Sequence, residues 1–145
     1  MPTVSRTAAV HAPRERVWEL VSDPHSLPRW WPRVQRVEEA SPESWTKVLS
    51  SDRGKAVRAD YTRVAADPPA LLEWQQELAE TPFERILSEA RLRIRIQDAP
   101  GADTEVTLTA VERLRGLARL GGFMVRRATG KRLDEALERL ALAVE

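Results

Sequence analysis

Residues able to carry out acid–base or nucleophilic chemistry are few in this sequence. Its two histidines, His11 and His25, lie at a predicted strand end and in a proline-rich loop. Neither has a Ser, Asp or Glu at a spacing that predicts a catalytic dyad or triad. The absence of cysteine excludes thiol chemistry and cysteine-based metal sites, and Gly121-Gly122 lacks the surrounding pattern of a phosphate-binding loop. The sequence therefore predicts no metal, no cofactor and no assignable catalytic residue.

Two neutral polar residues interrupt strand faces that are otherwise apolar. Gln76 shares a face with Trp74, and Ser88 shares one with Leu92. Such groups are typical of a ligand pocket, where they orient the bound molecule; alternatively, each bonds to backbone or water. The inward positions also mix large side chains with small ones. This mixture favours a cavity under a helix over the alternative of a helix that sits close to the sheet.

From Val34 onward the hydrophobic pattern has a period of two, which predicts about six strands. Short turn signals separate them, so successive strands should be antiparallel neighbours. These signals are Ser41-Pro42, Asp52-Arg53-Gly54, Asp67-Pro68-Pro69, Thr81-Pro82 and Ala99-Pro100-Gly101. One face is apolar and the other is charged, which indicates a single sheet that is solvated on one side. The predicted apolar face includes Val57, Ala59, Tyr61, Leu72, Trp74, Gln76, Ser88, Ala90, Leu92, Ile94, Ile96, Val106, Leu108 and Ala110.

The stretch from Leu117 to Val144 is the longest one compatible with a helix, and only it is long enough to cover that face. Its second half repeats apolar residues as an amphipathic helix does; they are Leu133, Ala136, Leu137, Leu140 and Val144. A second stripe, which includes Leu117, Leu120 and Met124, falls on roughly the opposite face. We therefore expect a change near Gly130: a bend or a close strand backbone, with an ordinary surface glycine as the alternative.

The N-terminal part predicts a strand over Thr3 to His11 and then a short helix that begins beside Pro13. Prolines 24, 28 and 32 prevent a long element in the next segment. The same segment contains the adjacent pair Trp30-Trp31. This pair is either a hydrophobic plug that ties the loop to the core or a lid at the mouth of a cavity.

The length of 145 residues predicts one domain, 1–145. Lys and Arg together number 23 against 22 Asp and Glu, which does not favour nucleic acid as a partner. A basic cluster from Arg113 to Arg132 is either a solvated face or a membrane or phosphate patch. No uncharged run suits a membrane span, and the N-terminus does not resemble a signal peptide. We expect a cytoplasmic protein, a monomer or homodimer, with no nucleic acid and no integral membrane association.

The order of these elements, together with several local phrases, resembles the START-like (SRPBCC) superfamily, in particular its bacterial polyketide cyclase/dehydrase and lipid-transport group. The phrases are 6–18 (RTAAVHAPRERVW), Asp23-Pro24, Trp30-Trp31-Pro32, 74–78 (WQQEL) and Thr81-Pro82-Phe83. The resemblance implies an α+β helix-grip fold, in which a curved antiparallel sheet of about seven strands wraps around a long C-terminal helix and two short helices follow the first strand. It also implies an elongated apolar cavity. In aromatase/cyclase relatives an arginine helps to orient the substrate, and the candidates here are Arg58 and Arg127.

The leading functional hypothesis is the binding of a hydrophobic or amphipathic small molecule, lipid or polyketide-like, between the sheet and the last helix. The residues predicted to lie near it are Trp30, Tyr61, Trp74, Gln76, Ser88, Leu92, Phe123 and Met124. The first alternative is a polyketide cyclase/aromatase-type enzyme, which requires an ionisable or strongly polar group inside the cavity. The second is a protein-interaction module that resembles the chaperone ATPase activator branch and acts through the charged surface, including Arg126 and Arg127.

Overall fold

The alternating pattern folds into the predicted antiparallel sheet. In the computed structural model, which describes residues 3–51 and 53–145, the sheet has seven strands. They are β1 (Thr3–Val10), β2 (Val34–Glu38), β3 (Ser44–Ser50), β4 (Ala56–Asp67), β5 (Leu71–Gln76), β6 (Leu87–Ala99) and β7 (Asp103–Leu114). The helices are α1 (Arg14–Ser22), α2 (Leu27–Trp30) and α3 (Gly122–Val144). Asp52, the first residue of the predicted Asp52-Arg53-Gly54 turn, lies outside the described residues.

The strand order is β1-β7-β6-β5-β4-β3-β2, and every neighbouring pair is antiparallel. Strands β2 to β7 pair in sequence because short turns join them. The first strand pairs with the last, and α1 and α2 carry the chain from there to the opposite edge of the sheet. The predicted helix-grip architecture, with two short helices after the first strand, is confirmed.

The second half of α3 forms the core with the inner face of the sheet, as the sequence predicts. The apolar stripe of this half is buried, and α3 packs against β1, β7, α1 and α2. The facing side chains Ile94, Ile96, Val106 and Leu108 have no exposed surface. At roughly 1.5–3 kcal/mol for each large apolar side chain that is buried, this contact is a main source of stability.

The predicted helical run from Leu117 to Val144 is confirmed, although its first residues are not α-helical. A 3₁₀ turn occupies Gly116–Gly121, and the α-helix begins at Gly122. Because α3 is a single helix with one face on the sheet, the second stripe points to solvent. Met124 in α3 is 74% exposed, and Leu117 and Leu120 in the preceding 3₁₀ segment are each 86% exposed. The expected bend at Gly130 is absent, since α3 continues through this residue. Gly130 is buried, and the group that approaches it is the side chain of Arg6 rather than strand backbone.

Within the described residues, no helix combines the length and the apolar character needed to cross a membrane.

Candidate functional site

A cavity of about 300 Å³ lies between the inner face of the sheet and α3. Its sheet wall contains Trp74, Leu92 and Ala110, which are paired directly across β5, β6 and β7. Ala90 and Ala110 leave room where larger residues would fill the space. The remaining lining residues come from the loop after α2, from strands β3 to β7 and their connections, and from α3: Trp31, Pro32, Arg33, Lys47, Leu49, Ser50, Ser51, Val57, Tyr61, Gln76, Phe83, Arg91, Glu112, Thr129, Arg132 and Leu133.

Lys47 is the most unusual residue of the cavity wall. It lies in β3 between Trp45 and Leu49, and alternation along the strand places all three on the same inner face. The side chain is only 1% exposed. Its Nζ lies 4.1 Å from the ring centroid of Tyr61, 4.7 Å from that of Trp31 and 4.9 Å from that of Trp74. The amine therefore sits in a box of aromatic rings.

Lys47 makes no ion pair with any residue of 3–51 or 53–145. Burying an ammonium group without a counter-ion costs several kcal/mol, whereas the cation–π contact with each ring face stabilises it by about 0.5–2 kcal/mol. Burial therefore lowers the pKa of Lys47 well below its usual value, and the positive charge of Arg132 lowers it further. The neutral amine is favoured far more than at a surface lysine.

Tyr61 and Gln76 lie next to each other on β4 and β5, where they are directly paired, and both line the cavity. The Tyr61 ring stacks on Trp45 with a centroid distance of 6.3 Å and an interplanar angle of 8°. Burial raises the pKa of the Tyr61 phenol, which therefore stays protonated. The Gln76 amide nitrogen is buried and has no hydrogen-bond partner among the described residues. The cavity wall thus holds a buried hydrogen-bond donor for which the described part of the chain offers no acceptor.

A polar cluster of three residues also lines the cavity, where β7 meets α3. Thr129 donates a hydrogen bond to the Glu112 carboxylate. Arg132 Nη1 lies 3.9 Å from Glu112 Oε2, and both side chains are partly exposed. The carboxylate of this cluster is therefore already engaged by Thr129 and Arg132.

A second hollow, of about 590 Å³, lies beside the start of α3, next to the first residues of β6 and the last residues of β7. Its lining includes Ser88, Arg113, Arg119, Phe123 and Arg126, and it shares Glu112 with the first cavity. Its wall is more polar and lacks the buried aromatic rings of the first cavity. Across residues 3–51 and 53–145, no group of three His, Asp or Glu side chains could hold a metal ion.

The sequence matches the model of one protein family over residues 1–145; its description is "Polyketide cyclase / dehydrase and lipid transport". The chain belongs to this family. The resemblance predicted from the N-terminal phrases is confirmed, and membership supports a ligand-binding or cyclase role. A comparison with curated proteins found no match.

Solved structures of similar fold include a START superfamily protein from Mycobacterium smegmatis, with a TM-score of 0.79, 16% identity and coverage of 98% of this chain and 96% of that chain. A protein from Thermus thermophilus has a TM-score of 0.78 and 21% identity, and the match covers 99% of this chain and 97% of that one. The di-domain aromatase/cyclase StfQ from the steffimycin biosynthetic pathway has a TM-score of 0.78 and 16% identity, with coverage of 99% and 50%. At these identities the similarity establishes the START-like fold.

The structure brings together four of the eight predicted site residues. Tyr61, Trp74, Gln76 and Leu92 all line the first cavity. Trp30 is fully buried behind its wall, where its ring contacts those of Trp31 and Trp74. In the tryptophan pair, Trp30 is thus a core residue, and its neighbour Trp31 is part of the cavity wall.

The other three predicted residues do not reach this cavity. Ser88 is exposed and lines the second hollow, because the β6–β7 register shifts between Leu87 and Glu89 and turns Ser88 away from the inner face. Phe123 and Met124 are 77% and 74% exposed, since they lie on the solvent side of α3.

The arginines suggested by the resemblance lie outside the cavity as well. Arg58 is on the outer face, where its Nη1 donates to Glu38 Oε1 at 2.6 Å, and Arg127 is exposed, as is Arg126. Three lining residues, Lys47, Glu112 and Arg132, were not predicted from the sequence as part of the site. A period-two reading of β3 would have revealed Lys47 as a charged residue on an apolar strand face.

Proposed function

We propose that the cavity binds a hydrophobic or amphipathic small molecule that carries a hydrogen-bond acceptor. The observation behind this proposal is a pair of buried nitrogens, Lys47 Nζ and the Gln76 amide, on an aromatic and aliphatic wall. The Gln76 nitrogen lacks an acceptor among the described residues, and Lys47 lacks a counter-ion there. Leaving such groups unsatisfied costs free energy. A ligand that presents an oxygen to them and covers the rings with its apolar part relieves both costs.

The volume and the family support the same proposal. A cavity of about 300 Å³ is at the lower end of the range for small-molecule sites. The family description names lipid transport and polyketide cyclisation, and both involve apolar molecules that bear carbonyl or carboxyl oxygens. We therefore favour a medium-length acyl chain or a small aromatic polyketide as the ligand class.

Tryptophan fluorescence tests this proposal, because Trp31 and Trp74 line the cavity. Titration with medium-chain fatty acids, naphthoquinones and aromatic polyketides should give saturable quenching with at least one class. Ala110→Leu should abolish it by filling the cavity, whereas Ala128→Leu, at an exposed helix position, should leave it intact. A folded protein that responds to none of these classes would contradict the proposal.

A cyclase or aromatase activity is the second candidate. It requires an ionisable group inside the cavity, and Lys47 and Glu112 both meet this requirement. The protein should then change the product distribution of a poly-β-keto thioester relative to its spontaneous cyclisation, and Lys47→Met should restore the spontaneous distribution. Identical products with and without the folded wild-type protein would exclude this activity for that substrate.

A further inference from the structure

The choice of basic residue at position 47 is informative. Only three of the 23 basic residues of the chain are lysines: Lys47, Lys55 and Lys131. Lys55 and Lys131 are exposed, whereas Lys47 is buried. An arginine keeps its proton in a protein, but a lysine that loses its proton becomes an amine nucleophile. Lys47 thus combines burial with the type of basic side chain that can react.

The surroundings of Lys47 suit a nucleophile rather than a structural ion pair. Its Nζ has three ring faces within 4.1 to 4.9 Å and no carboxylate partner in the described part of the chain. Lys47 also lines the cavity, so a bound molecule can reach it. Removal of lysine from water in an apolar pocket is one of the ways in which proteins activate it toward carbonyl compounds. The unpartnered Gln76 amide on the same wall can donate to a carbonyl oxygen.

We propose that Lys47 captures an aldehyde or ketone ligand in this cavity as a covalent imine. The inference depends on the proposed binding function and specifies its ligand class. The lone pair of neutral Nζ attacks the carbonyl carbon, a C–N bond forms, and the π electrons of the C=O bond move to oxygen. One amine proton moves to that oxygen, which gives a carbinolamine. The C–O bond then breaks, the oxygen leaves as water with the second amine proton, and a C=N bond remains. No oxidant or reductant is needed.

Reductive trapping tests the inference on the full chain. The protein is incubated with cinnamaldehyde, treated with sodium borohydride and analysed by intact mass and peptide mapping. Each unit by which a lysine pKa falls toward the assay pH raises its neutral fraction about tenfold, so Lys47 should be labelled at least about tenfold faster than Lys55 or Lys131. Lys47→Arg should lose the adduct, and the Lys55→Arg/Lys131→Arg double variant should keep it. Even labelling of all three lysines in the wild-type protein would overturn the inference, whether or not Lys47→Arg folds.

Cinnamyl alcohol separates failure of the inference from failure of the binding proposal. It has nearly the same shape but no carbonyl group, so it should quench tryptophan fluorescence and slow the trapping of cinnamaldehyde by competition. If the alcohol and the aldehyde both bind and no Lys47 adduct forms, the imine is refuted and binding stands. If labelling of Lys47 is unaffected by saturating alcohol, the reaction does not take place in the cavity and the inference fails.

Discussion

Replacement of Lys47 by methionine should change how stability depends on pH, and the direction follows from burial. Methionine keeps a long, flexible side chain that can pack against the rings of Trp31, Tyr61 and Trp74. It removes the group whose protonated form the folded state disfavours. The variant should therefore be more stable than the wild type at neutral pH, because the buried amine has been removed.

The sign follows from proton linkage. The pKa of Lys47 is lowered in the folded state relative to the unfolded value of 10.5. Between the folded pKa and 10.5 the unfolded chain binds more protons, so wild-type stability rises with pH. The slope approaches about 1.4 kcal/mol per pH unit within that window and vanishes outside it. The advantage of Lys47→Met should therefore shrink as pH rises toward 10.5.

Urea unfolding of both proteins at a series of pH values from neutral to alkaline measures the difference in their free energies of unfolding. The contributions of titratable groups that both proteins share cancel in this difference. Lys131→Met, at an exposed position, is the matched control and should parallel the wild type. If the difference in free energy of unfolding between the wild type and Lys47→Met is the same at every pH, Lys47 titrates alike in the folded and unfolded states. Burial would then not disfavour the ammonium form of Lys47.

Three further substitutions test the packing by urea unfolding. Phe123→Ser should change the free energy of unfolding by less than about 0.5 kcal/mol, because Phe123 is 77% exposed; a large loss would place it in the core. Gly130→Ala should stabilise the protein by up to about 1 kcal/mol, since the new methyl group would meet only the flexible guanidinium end of the Arg6 side chain. Destabilisation that Arg6→Ala does not relieve would contradict this. Thr104→Val should cost about 1–3 kcal/mol, because the fully buried Thr104 hydroxyl donates to the Ala12 carbonyl at 2.5 Å; a neutral effect would show that this bond contributes little.

The fold was predictable because its determinants are local and repeated. Alternation over β4 to β7 and the helical stripe from Leu133 to Val144 each specify one buried face, and the two faces must meet. The exposure of the segment just before α3 could not be predicted in the same way. Its apolar residues Leu117 and Leu120 look like a core stripe, and only the path of the helix over the sheet shows that they face solvent.

The site was predictable only where strand alternation is regular. Trp74 and Leu92 keep the period of two and reach the cavity, whereas Ser88 follows a register shift that its sequence does not signal. Lys47 was missed for a different reason. A charged residue is normally assigned to the solvated face, so a lysine that shares a face with Trp45 and Leu49 contradicts the usual rule. Such local exceptions are expected at functional positions.

The two ligand chemistries that Lys47 could serve respond to pH in opposite directions, which gives a last test. A fatty acid such as octanoate pairs with the ammonium form, so above the folded pKa of Lys47 its binding takes up a proton and its affinity should fall as pH rises, by up to about tenfold per unit. Capture of octanal requires the neutral amine, so its rate should rise with pH until the folded pKa is passed. The Tyr61 phenol stays neutral because its pKa is raised, so it should not produce these trends. Octanoate binding and octanal trapping can be measured on the same protein, with Lys47→Met as control. If octanoate affinity shows the same pH dependence in the wild type and in Lys47→Met, the amine takes no part in binding.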